Sequence, residues 1–302
     1  MAVISGGSFA KDLLPFVGKW FGDELKDYEP LYPKIFEVMQ AKARFHDEPL
    51  IPGFGLPVQK AEGASVTYDS TKQGYNKRYS IIDYALGFII TRNMLDDGMA
   101  LVSGERFSKH LKRSMIKGRE SVCAAVLNRA FNSSYTGGDG KEMCATDHPT
   151  QAGNQQNEPT TASDLDENAL EQAYIDIFNT KDDRGLRVHV EARKLIVPPD
   201  LAFEAERLLK SEHIVDSANN DINAVKSMNI IPEGFMVHPY LSDADAWFIL
   251  TDAPDGLKYL NRRDIDLSTD NDFDTENAKF KSVMRFDVGW TDFRGIYGSP
   301  GA

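Results

Sequence analysis

The sequence predicts an α+β fold, and three observations carry that reading. A helical apolar stripe runs through residues 103–133, and a strict strand alternation occupies residues 280–290. Between them, short helical and strand patterns follow one another without a regular strand–helix–strand rhythm.

The elements are justified in chain order. Residues 8–21 place Phe9, Leu13, Phe16, Val17 and Trp20 on one helical face behind a possible Ser8 cap, interrupted by Pro15 and Gly18. Basic residues do not dominate the polar face, so a packing arm is expected and not a membrane-surface helix. Residues 49–80 carry three prolines, several glycines and scattered charge. Short alternating pieces such as Ser65-Val66-Thr67-Tyr68 suggest a two-stranded arm. Ordering about 30 residues costs about 1–2 kcal/mol each in backbone entropy. An arm this polar cannot offset that alone, so another surface is expected to hold it through Tyr68, Tyr75 and Tyr79.

Apolar residues fall on odd positions up to Ile81 and on even positions from Ile82 to Ile90, which predicts a bend where the arm leaves a sheet. The helix over 103–133 turns Phe107, Leu111, Met115, Gly118, Val122, Ala125, Val126 and Arg129 to one side. Its outer face is expected to carry Arg106, Lys109, Lys112, Arg113, Lys117 and Arg119, a basic stripe. Residues 134–162 read as an irregular Gly/Asn/Gln/Thr-rich stretch. A capping box at Asp164 and Glu167 opens a helix on Leu170, Ala173, Tyr174, Ile177 and Phe178, closed by Gly185. A buried strand at Leu195-Ile196-Val197 and a helix on Leu201, Ala205, Leu208 and Leu209 follow, then strands around Phe235–His238 and Trp247–Thr251. The last strand buries Phe280, Ser282, Met284, Phe286, Val288 and Trp290, with Lys281, Val283, Arg285 and Asp287 opposite.

Composition bounds the function. The chain has 302 residues, 41% hydrophobic and 26% charged, enough for a large core. A net charge of −12 argues against a general nucleic-acid-binding surface. Two cysteines, Cys123 and Cys144, do not make a disulfide framework. There is no signal peptide and no apolar window long enough for a membrane span, so a soluble protein made in the cytoplasm is expected.

Catalytic patterns are thin. Phosphate-loop, nucleophile-elbow and zinc-protease motifs are absent. Cys144 and His148 lie four residues apart, but nucleophilic catalysis needs contact and an orienting group that local spacing does not supply. His189-Val190-Glu191 lacks the downstream cysteines of a zinc deaminase. Asp270, Asp272 and Asp274 begin like a calcium loop, yet Thr275 replaces the glycine and Lys281 the final carboxylate. No catalytic, cofactor or metal site is expected.

Taken together, Tyr84-Ala85-Leu86-Gly87-Phe88-Ile89-Ile90-Thr91-Arg92-Asn93-Met94-Leu95-Asp96-Asp97, Thr146-Asp147-His148-Pro149, Val197-Pro198-Pro199-Asp200-Leu201, Asp243-Ala244-Asp245-Ala246-Trp247-Phe248, Asn271-Asp272-Phe273-Asp274-Thr275 and Gly289-Trp290-Thr291-Asp292 resemble a tailed-bacteriophage major capsid protein. The Mu-like head subunits are the nearest group. The match runs in order along nearly the whole chain. It implies the Hong Kong ninety-seven type capsid fold, with an N-terminal arm (1–48), an extended loop (49–80), a peripheral domain with a spine helix (81–135), an axial domain (136–276) and a C-terminal strand returning to the peripheral domain (277–302).

The resemblance further implies a head subunit that self-assembles into pentamers and hexamers of an icosahedral shell around double-stranded DNA, ending up in the virion. An encapsulin-type compartment is the alternative. Expected partners are other copies of the chain, a separate scaffolding protein (the arm begins almost at Met1), a portal, a decoration protein, and DNA by weak non-specific contact. Assembly is expected to be noncovalent. Inter-subunit contacts are expected from Phe9, Trp20, Lys60, Glu62, Tyr68, Tyr75, Arg113, Lys117 and Arg119.

Overall fold

The computed structural model describes Phe21 and residues 28–71, 73–96, 100–213, 222–272 and 274–302. The helix expected over 8–21, with Phe9 and Trp20, lies outside the described residues apart from Phe21. In chain order the strands are Glu37–Gln40 (β1), Phe45–Pro49 (β2), Asn76–Ser80 (β3), Ile82–Ile90 (β4), His148–Thr150 (β5), Gly153–Gln155 (β6), Ala192–Val197 (β7), Phe235–Val237 (β8), Trp247–Thr251 (β9), Leu257–Asn271 (β10), Ala278–Trp290 (β11) and Ile296–Ser299 (β12). The α-helices are Arg92–Asp96 (α1), Ala100–Asn128 (α2), Glu167–Phe178 (α3), Ala202–Lys210 (α4) and Ala224–Ser227 (α5).

Two four-stranded sheets organise the chain. The first has the order β1-β10-β11-β4 and the second β12-β9-β7-β8. Strand β11 alternates as its sequence requires, burying Phe280, Ser282, Met284 and Phe286 while Lys279 and Lys281 face solvent. It pairs antiparallel with β4, from Ala278 opposite Ile90 to Phe286 opposite Ile82. The phase flip before Ile82 is real: Tyr79 and Ile81 are buried, and beyond them β4 joins a different sheet from β3.

Helix α2 lies on this sheet, its Leu111, Met115, Cys123 and Leu127 sharing one core with Tyr259, Met284, Phe286 and Trp290. Phe286 stacks between Tyr84 at 4.8 Å and Tyr259 at 5.1 Å. The same core runs on into the second sheet through Ile196, Phe248 and Ile296. A second core joins the other side of that sheet to α3, α4 and α5 through Leu170, Ala173, Ala205, Val225 and Trp247.

Several expectations are corrected. Strand β10, inside the expected axial segment 136–276, belongs to the same sheet as β11 and forms a long hairpin with it. Register shifts between Asn261 and Asp266 break its alternation, which hides it in the sequence. The segment 277–302, expected to return wholly to the sheet beside the long helix, divides after β11: Ile296–Ser299 are all buried as an edge of the second sheet. Helix α3 is capped by Asp166, whose side chain accepts from the Ala169 N–H, and not by Asp164; it ends at Phe178, well before Gly185. Gly185 instead takes φ +85° in the turn between Asp182 and Leu186. The stretch 134–162 holds the β5–β6 hairpin.

On α2, Lys112 and Arg119 are buried, not outward-facing, whereas Arg129, expected in the buried stripe, falls in the turn just past the helix, exposed and over the Tyr135 ring. A single helical period cannot tell a charged face turned to solvent from one covered by another segment, which is what happens here.

Candidate assembly surfaces

The extended loop is built on a polar base. Strands β2 and β3 pair antiparallel, Phe45 opposite Ser80 through Pro49 opposite Asn76. The pairing continues sporadically outward: the Leu50 N–H donates to the Tyr75 carbonyl at 2.9 Å, and the Thr71 hydroxyl to the Pro52 carbonyl at 2.6 Å. At the foot of the loop the buried Lys258 ammonium pairs with Glu48 and, at 2.7 Å, with Asp255. The Thr291 hydroxyl donates to the other Glu48 oxygen at 2.6 Å and meets the Tyr79 hydroxyl at 2.7 Å. Burial works against the charge of Lys258, but its Asp255 and Glu48 hydrogen bonds outweigh that and raise its pKa.

Tyr75 packs on its own subunit. Its hydroxyl donates to the Thr291 carbonyl at 3.0 Å, and its ring lies so close to Gly138 that a Cβ there would stand 2.5 Å from it. Burial raises the phenol's pKa. Lys77 adds a cation over the Trp290 ring at 4.9 Å.

Past the base, support thins. The Arg184 guanidinium reaches Asp69 and the Ser70 carbonyl, each at 2.5 Å, and the Gly55 N–H donates to the same Asp69 at 2.7 Å. Beyond that clip, residues 56–68 carry one internal turn, from the Ala64 N–H to the Ala61 carbonyl. Ile51, Phe54, Leu56, Val58, Val66 and Tyr68 are exposed, Tyr68 to 92% and Leu56 to 74%. Soluble monomers seldom leave so many large apolar side chains uncovered along one segment. Lys60 and Glu62 are exposed among them.

A second exposed surface lies on α2. Arg113 and Lys117 face outward, so of the three helix residues expected at contacts only Arg119 is turned inward. Its guanidinium stacks on the Tyr32 ring at 4.6 Å. Strand β4 is the outer strand of its sheet and exposes Ile82, Leu86 and Ile89.

The near-catalytic residues are committed to structure. His148 is fully buried, with Nδ1 2.6 Å from Asp139 and Nε2 3.0 Å from the Asn157 side-chain Oδ1, and its ring stacks on Phe293 at 4.0 Å. Both nitrogens are occupied, so the imidazole is not available to Cys144, whose thiol burial pushes well above its usual pKa. The Asn157 amide donates to the carbonyls of Met143, Phe293 and Ile296, tying this stretch to the chain's end. Arg294 performs a similar task, bridging Asp183 at 2.8 Å and Asp292 at 3.1 Å in a buried cluster. Sequence reading missed these hubs, since nothing in local spacing marks Asn157 or Arg294. Among the described residues no grouping of His, Cys, Asp and Glu could hold a metal, and no helix is long and apolar enough to cross a membrane.

Two sheets, a long helix across one of them and a projecting loop define a capsid-type shell fold, and solved structures agree. The virus-like particle from Pyrococcus furiosus is similar over 94% of this chain and 97% of its own, at 15% identity and a TM-score of 0.52. The procapsid of bacteriophage JBD30 is similar over 98% of this chain and 76% of its own, at 13% identity and a TM-score of 0.53. The capsid of the cyanophage P-SCSP1u is similar over 91% and 88%, at 10% identity and a TM-score of 0.55. No curated protein sequence matches the chain. Residues 74–299 match the phage capsid protein family, and the chain belongs to that family. It is therefore a structural, self-assembling shell protein of the virion capsid and not an enzyme.

Proposed function

We propose that copies of this chain close into an icosahedral shell of pentamers and hexamers that encloses double-stranded DNA. The observation that carries the proposal is the contrast within the extended loop. Its base is fixed by a buried ion pair and two tyrosines, while its outer part holds exposed apolar residues with little of its own subunit to pack on. Burying about 25 cal/mol per Å² of apolar surface on a neighbour offsets the loop's ordering entropy only between subunits. Lys60, Glu62 and Tyr68 then belong to the neighbour's contact. Arg113 and Lys117 meet acidic groups of adjacent copies, and Phe9 and Trp20 of the arm serve the same assembly.

The acidic balance suits a wall past which DNA must move, since each additional phosphate contact would strengthen and salt-sensitise its binding. A separate scaffolding chain, a portal and a decoration protein complete the proposed set of partners, with assembly in the host cytoplasm.

The test is purification of the expressed protein with and without Phe54→Ser and Tyr68→Ser, followed by microscopy and assay of nuclease-protected nucleic acid. The proposal expects wild-type closed shells and a doubly substituted subunit that stays soluble and folded but unassembled. Normal shells from the variant would remove the loop from assembly. Shells that capture protein cargo and never DNA would point to the encapsulin-type alternative.

A further inference from the structure

The solvent side of α2 is basic. Arg106, His110, Arg113 and Lys117 recur at intervals of three and four residues, which sets them in one stripe, and all four are exposed. The carboxylates of the helix do not offset them. Glu105 pairs with Lys109, and Glu120 is buried, accepting from the Leu31 N–H. Among the described residues Arg106 and Lys117 have no ion-pair partner in their own subunit.

A surface of opposite sign lies on β10. Strand β1 pairs only with Lys258–Asn261, so beyond them the outer edge of β10 has no strand partner among the described residues. An edge left bare presents a row of open backbone N–H and C=O groups, a template for another chain. This half of β10 and the turn into β11 hold six carboxylates from Asp264 to Glu276, with no lysine or arginine between them. Lys279, just past the turn, pairs with Asp272. Asp266, Asp274 and Glu276 are exposed and have no cationic partner among the described residues.

The two surfaces match in sign and in length. From Arg106 to Lys117 the helix rises about 16 Å, and from Asp266 to the end of β10 the strand spans about 16 Å. We infer that the basic stripe of α2 docks on the acidic outer edge of β10 in an adjacent copy of the chain. This contact rests on the assembly proposed above and supplies the acidic groups that Arg113 and Lys117 meet there. Two different patches of one chain that fit each other repeat head to tail from copy to copy, and they close into a ring where the rotation allows. Exposed ion pairs add little stability singly, but their signs select the partner and fix its register. DNA would account for the stripe alone: phosphates are repelled by the β10 edge, which would stay uncovered.

The experiment exchanges the charges in the full-length protein. One variant carries Arg106→Glu and Lys117→Glu, a second Asp266→Lys and Asp274→Lys, and a third all four substitutions. Shells are counted by sedimentation and microscopy, enclosed DNA by nuclease protection, and folding of each subunit by its melting temperature. The first two variants should each raise the protein concentration needed for shells by about tenfold or more, because like charges then face each other. The third restores opposite signs and should return close to wild type, a recovery that damage to the subunit would not give. If the first two fail and the third does not recover, the two surfaces meet other partners: the inference falls while the stripe keeps its role in assembly. Normal shells from the first variant overturn the inference and that role together. If those shells have also lost their DNA, the stripe belongs to the genome. Should a reversal lower the melting temperature, Lys117→Gln, Asp266→Asn and their combination decide. Their effects on assembly should be strongly non-additive, and strictly additive losses refute the contact.

Discussion

Lys258 anchors the extended loop, and its removal gives the sharpest test of how the loop is held. Its side chain is 3% exposed and pairs with Glu48, itself 15% exposed, and with the more solvated Asp255. Breaking a buried pair by removing one partner costs about 3–5 kcal/mol. Glu48 keeps the Thr291 hydroxyl, and Asp255 is largely in water, so about 2–3 kcal/mol is expected for Lys258→Met. For a chain this size that lowers the melting temperature by about 4–8 °C in calorimetry of the unassembled subunit. The stranded Glu48 carboxylate causes most of the loss, so adding Glu48→Gln should recover about 1–2 kcal/mol, a coupling that a double-mutant cycle reads directly. The raised Lys258 pKa places the pair's contribution in full below the unfolded value of 10.5, to be lost as pH rises through the folded value. Strictly additive single and double substitutions would refute the anchoring argument, as would a melting temperature unchanged by Lys258→Met.

Three further outcomes follow from particular residues. Phe286→Asp puts an unpaired charge between Tyr84 and Tyr259 at a fully buried position and should abolish soluble expression; a soluble variant melting like wild type would place that face elsewhere. Burial, reinforced by Glu142, raises the Glu158 pKa to about 7, so the folded state favours its protonated form, and this contribution, present below 4.5, is lost as pH rises through 7. Glu158→Gln should thus stabilise the protein at pH 8 by about 1–2 kcal/mol after allowance for solvent, with no gain at pH 4, as read by thermal melting at both values. Gly138→Val should drive Tyr75 off its seat and increase amide exchange in residues 74–80, while β9 keeps wild-type protection.

Much of the fold is legible because burial imposes simple periods. The alternation from Phe280 to Trp290 and the flip at Ile81 both appear where a sheet has one covered face. The loop is legible by what it lacks, a core of its own. Strand β10 is not, because its bulged half exposes Arg262, Arg263, Asp264 and Asp266, which read as a loop, and because its buried Lys258 pairs with Glu48, about 200 residues earlier, as well as with the nearby Asp255. The inward charges of α2 were hidden for a similar reason: Arg119 meets Tyr32, Glu120 meets Leu31 and Lys112 meets Phe21, each about 90 residues earlier. Polar hubs such as Asn157 and Arg294 depend on carbonyls and carboxylates that only the fold brings together.

Electron microscopy of the purified full-length protein tests the central claim most directly. Closed shells of uniform diameter built from fivefold and sixfold clusters, with each extended loop lying across an adjacent subunit and its Phe54 and Tyr68 covered there, are the predicted result. Discrete monomers under every assembly condition, or shells in which the loops remain on their own subunits with those residues still in water, would contradict it.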